Sequence, residues 1–141
     1  MYFDTSYIAK FYLNEADSPR VRTVVQDADS MTSSFLAFAE LHGVLSRKVR
    51  EQTLSRRDAR LISELFSSHV SEGLWTLIPL SERCLRRASK SMLDAPASLF
   101  LRTADAIHLT SAADAGEDEV WTSDRHMLAA GAHFGVRTRS V

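Results

Sequence analysis

The chain has 141 residues, 45% hydrophobic and 25% charged, which suits one soluble globular domain with a sizeable core. A net charge of -1 excludes a protein that holds nucleic acid by bulk positive charge, while leaving room for a local basic patch. Fourteen of the 17 basic residues are Arg, a bias that favours planar, bidentate contacts to phosphate or carboxylate.

In chain order, Met1 to Phe3 is an apolar run too short for a helix and suited to a buried strand. Asp4-Thr5-Ser6 then opens a helix carrying Ile8, Phe11 and Tyr12, with Asp4 as its N-cap. Ser18-Pro19 predicts a second helix, capped by Ser18 and running to about Ala28 with Val21, Val24 and Val25 inward. Met31 to Ser33 is a second strand, followed by a long helix whose stripe is Phe38, Leu41, His42, Leu45 and Val49. Glu40 lies beside that stripe, in line with Leu36 and Val44. Arg47, Lys48, Arg50, Arg56, Arg57 and Arg60 cluster around the turn at Glu51 to Leu54. Such a run is commonly a solvated helix face.

Ser55 to Asp58 resembles a capping box, and the helix it opens places Ala59, Ile62, Leu65, Phe66, His69 and Val70 inward before Gly73 ends it. Leu74 to Ile78 is a third strand, Ser81 caps a helix to about Leu93, and Asp94 to Leu101 is a loop. Cys84, the single cysteine, allows no intrachain disulfide and reads as a small packed residue, which fits a reducing cytoplasm. A helix through Asp105 stops at Gly116; Glu119 to Thr122 is a fourth strand; Ser123-Asp124 begins another helix; Phe134 to Val136 is a last short strand. No basic leader precedes an apolar stretch and no run of about eighteen apolar residues occurs, so neither export nor membrane spanning is signalled.

Asp105 is the anomaly in this pattern, because Leu101, Leu109 and Ala112 share its helix face. An ionised carboxylate on an apolar face costs several kcal/mol unless something positive compensates it. With no Lys or Arg one turn away on that line, Asp105 needs a partner from elsewhere in the chain. Strands alternating with helices predict an α/β domain with a mainly parallel sheet of four to five short strands, whose ligand crevice lies outside the carboxyl ends of the strands. Asp4 and Asp124 each follow a strand, and Glu40 and Asp105 each sit on a helix beside the sheet, so four acidic residues converge on one site.

Asp4-Thr5-Ser6, Phe38-Ala39-Glu40-Leu41, Thr103 to Leu109 with Asp105 at its centre, and Thr122-Ser123-Asp124 together resemble the acidic motifs of the PIN domain over nearly the whole chain. Among PIN domains, small stand-alone chains of this kind resemble VapC-type toxins of toxin–antitoxin pairs. The resemblance implies one PIN-like domain over residues 1–141 and a Mg²⁺- or Mn²⁺-dependent endoribonuclease, restrained by a cognate antitoxin and often a homodimer. It makes Asp4, Glu40, Asp105 and Asp124 the catalytic metal ligands. Thr5, Ser6 and Thr122 would orient those ligands by hydrogen bonds, and Arg47, Arg50, Arg56, Arg57 and Arg60 would engage RNA.

The chemistry agrees, since Mg²⁺ prefers oxygen ligands and is usually held by one or two carboxylates plus substrate phosphate. A haloacid-dehalogenase phosphatase would want Asp-x-Asp after the first strand, where Ser6 stands here; a receiver domain would want an Asp after the Leu77-Ile78 strand, where Pro79 stands. Asp105 and His108 have zinc-ligand spacing, but the five histidines form no His-Glu-x-x-His pattern, so His108 reads as a satisfied histidine. Two readings stay open beside the toxin: a PIN nuclease that is not a toxin, and a non-catalytic module whose acidic cleft accepts an Arg-bearing peptide.

Overall fold

The computed structural model describes residues 1–141, beginning with β1 (Tyr2–Phe3), α1 (Thr5–Tyr12), α2 (Ser18–Gln26), β2 (Thr32–Ser34) and α3 (Leu36–Arg50). It continues with α4 (Arg56–Ser71), β3 (Thr76–Ile78), α5 (Glu82–Leu93), α6 (Thr103–Asp114), β4 (Glu119–Trp121), α7 (Arg125–Ala130), a 3-10 turn (Gly131–Phe134) and β5 (Arg137–Arg139). The five strands form one sheet in the order β3-β2-β1-β4-β5, and every pairing is parallel. β1 is therefore the centre, and the chain turns from one half of the sheet to the other between β1 and β4. That reversal opens the crevice at the carboxyl ends of these two strands.

Strand alternation sends Phe3 and Tyr2 to opposite faces. Phe3 joins Tyr7, Ile8, Val21, Val25, Leu41, Leu45, Phe66 and Trp75 in the larger core, while Tyr2 joins Leu109, Ala112, Val120, Met127, Ala130 and Val136 in the smaller one. The Trp75 indole N–H donates to the Tyr12 hydroxyl at 2.8 Å, satisfying a buried polar atom inside the aromatic packing. Cys84 is buried, as expected of a packed residue. No helix is long and apolar enough to cross a membrane.

Four local expectations are corrected. Ser18 is the first residue of α2 and not its cap: its hydroxyl donates to the Leu13 carbonyl at 2.8 Å and accepts from the Glu15 N–H, bracing the preceding loop. Leu65 is 47% exposed, because only Phe66 of α4 is fully buried and Leu65 lies about 100° round the helix from it. The final strand is Arg137–Arg139 and not Phe134 to Val136. Gly135, at φ 74°, ends the 3-10 turn in the left-handed region, and the strand that follows is a polar edge strand whose Arg-Thr-Arg pattern carries no hydrophobic run. The fourth correction concerns the partner of Asp105 and belongs to the site.

Candidate active site

Two of the candidate carboxylates, Asp4 and Asp124, are placed by ordinary helix capping. Asp4 leaves the end of β1 and caps α1, its Oδ1 accepting the Tyr7 backbone N–H at 3.0 Å and the Ser6 hydroxyl at 2.6 Å. Its Oδ2 accepts the Thr122 hydroxyl from the end of β4 at 2.6 Å, which ties the two central strands together across the crevice. Asp124 caps α7, accepting the His126 N–H at 2.7 Å. The cap and the site are thus the same residues, because a strand that ends at a helix N-terminus leaves its capping carboxylate at the crevice.

Asp4, Glu40, Asp105 and Asp124 line one cleft of about 440 Å³, with Thr5, Ser6, Lys10, Arg47, Arg102 and His108 also in its wall. All four acidic residues expected from the sequence are therefore brought together. Of the five arginines expected to engage RNA, Arg47 alone reaches this cleft, one face of α3 carrying Glu40, Gly43, Val44 and Arg47. Arg50, Arg56 and Arg60 line a different cavity of about 300 Å³ between α3 and α4, and Arg57 borders neither.

Glu40 is held from behind. Thr5 Oγ1 donates to Glu40 Oε2 at 2.5 Å, and His108 Nε2 lies 2.8 Å from the same oxygen. The Tyr2 hydroxyl is 2.7 Å from His108 Nδ1, so a buried row of side chains runs from the sheet centre to Glu40. Burial would raise the Glu40 carboxyl, but the His108 and Thr5 hydrogen bonds and the Arg102 charge hold it below the usual range. Asp124 is lowered too: partial burial opposes ionisation, but the α7 N–H groups and the Arg102 guanidinium outweigh it. Asp4 goes the other way, because burial pushes its carboxyl up further than its hydrogen bonds draw it down.

The expectation that Asp105 finds a distant partner is overturned by Arg102, three residues before it. Arg102 Nε donates to Asp105 Oδ2 at 2.9 Å and Nη2 to Oδ1 at 3.1 Å, a bidentate clamp, and the same Nη2 reaches Asp124 Oδ2 at 2.5 Å. The Arg102 backbone N–H also donates to Asp105 Oδ2, so Asp105 reaches back to its own helix start. One guanidinium therefore neutralises two of the four acids. As the side chains stand, no group of three or more His, Cys, Asp or Glu residues is gathered closely enough to hold a metal ion.

The PIN domain family profile matches residues 1–132. The chain belongs to the PIN domain family. Its structure is similar to that of Mycobacterium tuberculosis VapC20, described as a sarcin-ricin loop cleaving toxin, with a TM-score of 0.74 over 92% of this chain and 94% of that one at 15% identity. Comparison with curated proteins gives no match. Lys10, Arg102 and His108 are the cleft residues whose part the sequence did not disclose. His108 was legible as a satisfied histidine, and its spacing of three from Asp105 was the signal that it faces the cleft.

Proposed function

We propose that this PIN domain is a Mg²⁺- or Mn²⁺-dependent endoribonuclease, the toxin of a toxin–antitoxin pair, acting on RNA as a homodimer restrained by a cognate antitoxin. The observation that carries this reading is the meeting of Asp4, Glu40, Asp105 and Asp124 with Lys10, Arg47 and Arg102 in one cleft at the switch point of the sheet. PIN family membership supports nuclease chemistry, and the sarcin-ricin loop named for VapC20 supports RNA as substrate.

The donor set fits a hard divalent cation, being all carboxylate oxygen, and the Arg102 clamp marks where the cleft accepts positive charge. Asp4 and Asp105 would hold the ion, with Glu40 and Asp124 completing the site directly or through water. A bound ion would supply an activated water and neutralise charge developing on the phosphate. The chain's own residues do the rest. Ser6, Thr122 and the Tyr7 N–H fix Asp4, and Thr5 and His108 fix Glu40, so the acids keep their orientation while substrate enters. Lys10 and Arg47 offer cations to RNA phosphates in an otherwise acidic cleft, and Arg102 exchanges its aspartate partners for phosphate. Arg50, Arg56 and Arg60 line a separate cavity between α3 and α4 and would meet RNA only beyond the cleft.

A second reading is favoured by the same clamp: a cleft that already binds one guanidinium could serve a non-catalytic module that accepts an Arg-bearing peptide. Total cellular RNA incubated with the purified protein separates the readings. Discrete cleavage ends in Mg²⁺ that vanish in EDTA are expected of the nuclease, whether or not it is a toxin; intact RNA under both conditions leaves the binding module.

A further inference from the structure

An aromatic pair that belongs to neither hydrophobic core is carried by the two segments that supply Arg102 and Asp124 to the acidic cleft. Phe100 is 60% exposed, on the segment that joins α5 to α6 and two residues before Arg102. Leu99 and Leu101 pack against the smaller core, and the chain between them turns Phe100 outward. Its ring lies 4.5 Å from the His126 imidazole, centroid to centroid, at an interplanar angle of 52°. His126 is itself fixed at the site, because its backbone N–H donates to Asp124 Oδ1. An exposed phenyl ring keeps in water apolar surface that burial would remove.

We propose that Phe100 and His126 form a platform on which an unpaired nucleobase of an RNA strand stacks while the neighbouring phosphate enters the cleft. The proposal rests on the nuclease reading of the cleft and adds to it a base-contacting pair outside the acidic residues. A base offers a flat π-face to this pair, and the cations nearest it suit a phosphate chain: Arg102 spans Asp105 and Asp124, and the Arg125 guanidinium lies 3.4 Å from His126 Nε2. A duplex keeps its bases stacked inside the helix and cannot offer one to Phe100.

The test measures binding of labelled oligouridine, oligoadenine and duplex RNA in Mg²⁺ on a cleavage-dead Asp105→Asn background. Phe100→Ala and Phe100→Leu should each weaken both single strands by about 5- to 100-fold, the range that loss of one stacked base corresponds to. Phe100→Trp should restore affinity, and duplex affinity should not change. Unaltered single-strand binding by Phe100→Ala overturns the platform, as does weakening by Ala but not by Leu, which would make the ring a mere apolar filler. A Phe100→Ala change confined to self-association in sedimentation also overturns it, assigning the ring to a protein interface. Failure of the unmodified protein to cut RNA would overturn the nuclease reading and the platform with it; cutting that persists beside unaltered binding overturns the platform alone.

Discussion

Asp4→Asn is expected to abolish RNA cleavage, by about 10²-fold or more, while raising the melting temperature of the metal-free protein. The loss follows from removing a whole ligand, where even an outer hydrogen-bond partner of a ligand typically contributes 10–100-fold. The gain follows from burial: Asp4 is 4% exposed, and its folded carboxyl is raised above its unfolded value. A raised carboxyl favours the fold in its neutral form, below the unfolded value, and that contribution is lost as pH rises through the folded value. Asn imitates the neutral form at every pH, so the stabilisation should appear at neutral pH and shrink in acid. Its amide can still accept from Ser6 and the Tyr7 N–H, which keeps the α1 cap. Parallel melting curves at pH 7 and pH 4, with cleavage assays, check both halves; a variant that still cuts RNA removes Asp4 from the site.

Arg102→Gln is expected to act in two directions. In the metal-free protein it leaves Asp105, 4% exposed, without its bidentate partner, for a loss of about 1–3 kcal/mol; the half-exposed guanidinium keeps this below the cost of breaking a fully buried pair. With Mg²⁺ present the loss should shrink, because a cation that binds only the folded chain stabilises it by RT ln(1 + [L]/Kd) and no longer competes with Arg102. Thermal melts across a Mg²⁺ series would show a larger rise for the variant, beginning at lower Mg²⁺, than for the unmodified chain. Equal rises with the same onset would mean that Arg102 and the ion do not share the aspartates.

The legible part of this protein was the part written in short-range pattern. Asp4 and Asp124 could be placed because each follows an apolar strand and precedes a helical run, and capping and convergence then proved to be one fact. The parallel sheet was legible from alternation, but its order, and so the neighbouring of β1 and β4, is a long-range outcome. Arg102 escaped because it stands at the helix start, three residues before Asp105 and outside the buried line of the helix. The basic run around residues 47–60 read as one patch, yet helix phase sends Arg47 to the acidic cleft and Arg50 to the α3–α4 cavity. β5 escaped because an edge strand with two exposed arginines, paired to Glu119, has nothing apolar to announce it.

The central claim is that the four acids hold a divalent ion, and calorimetric titration of the purified protein with Mn²⁺ tests it most directly. Saturable binding by the unmodified chain, lost in Asp4→Asn and in Asp105→Asn while both variants remain folded, is the result expected. Heats that are indistinguishable among the three proteins would contradict it.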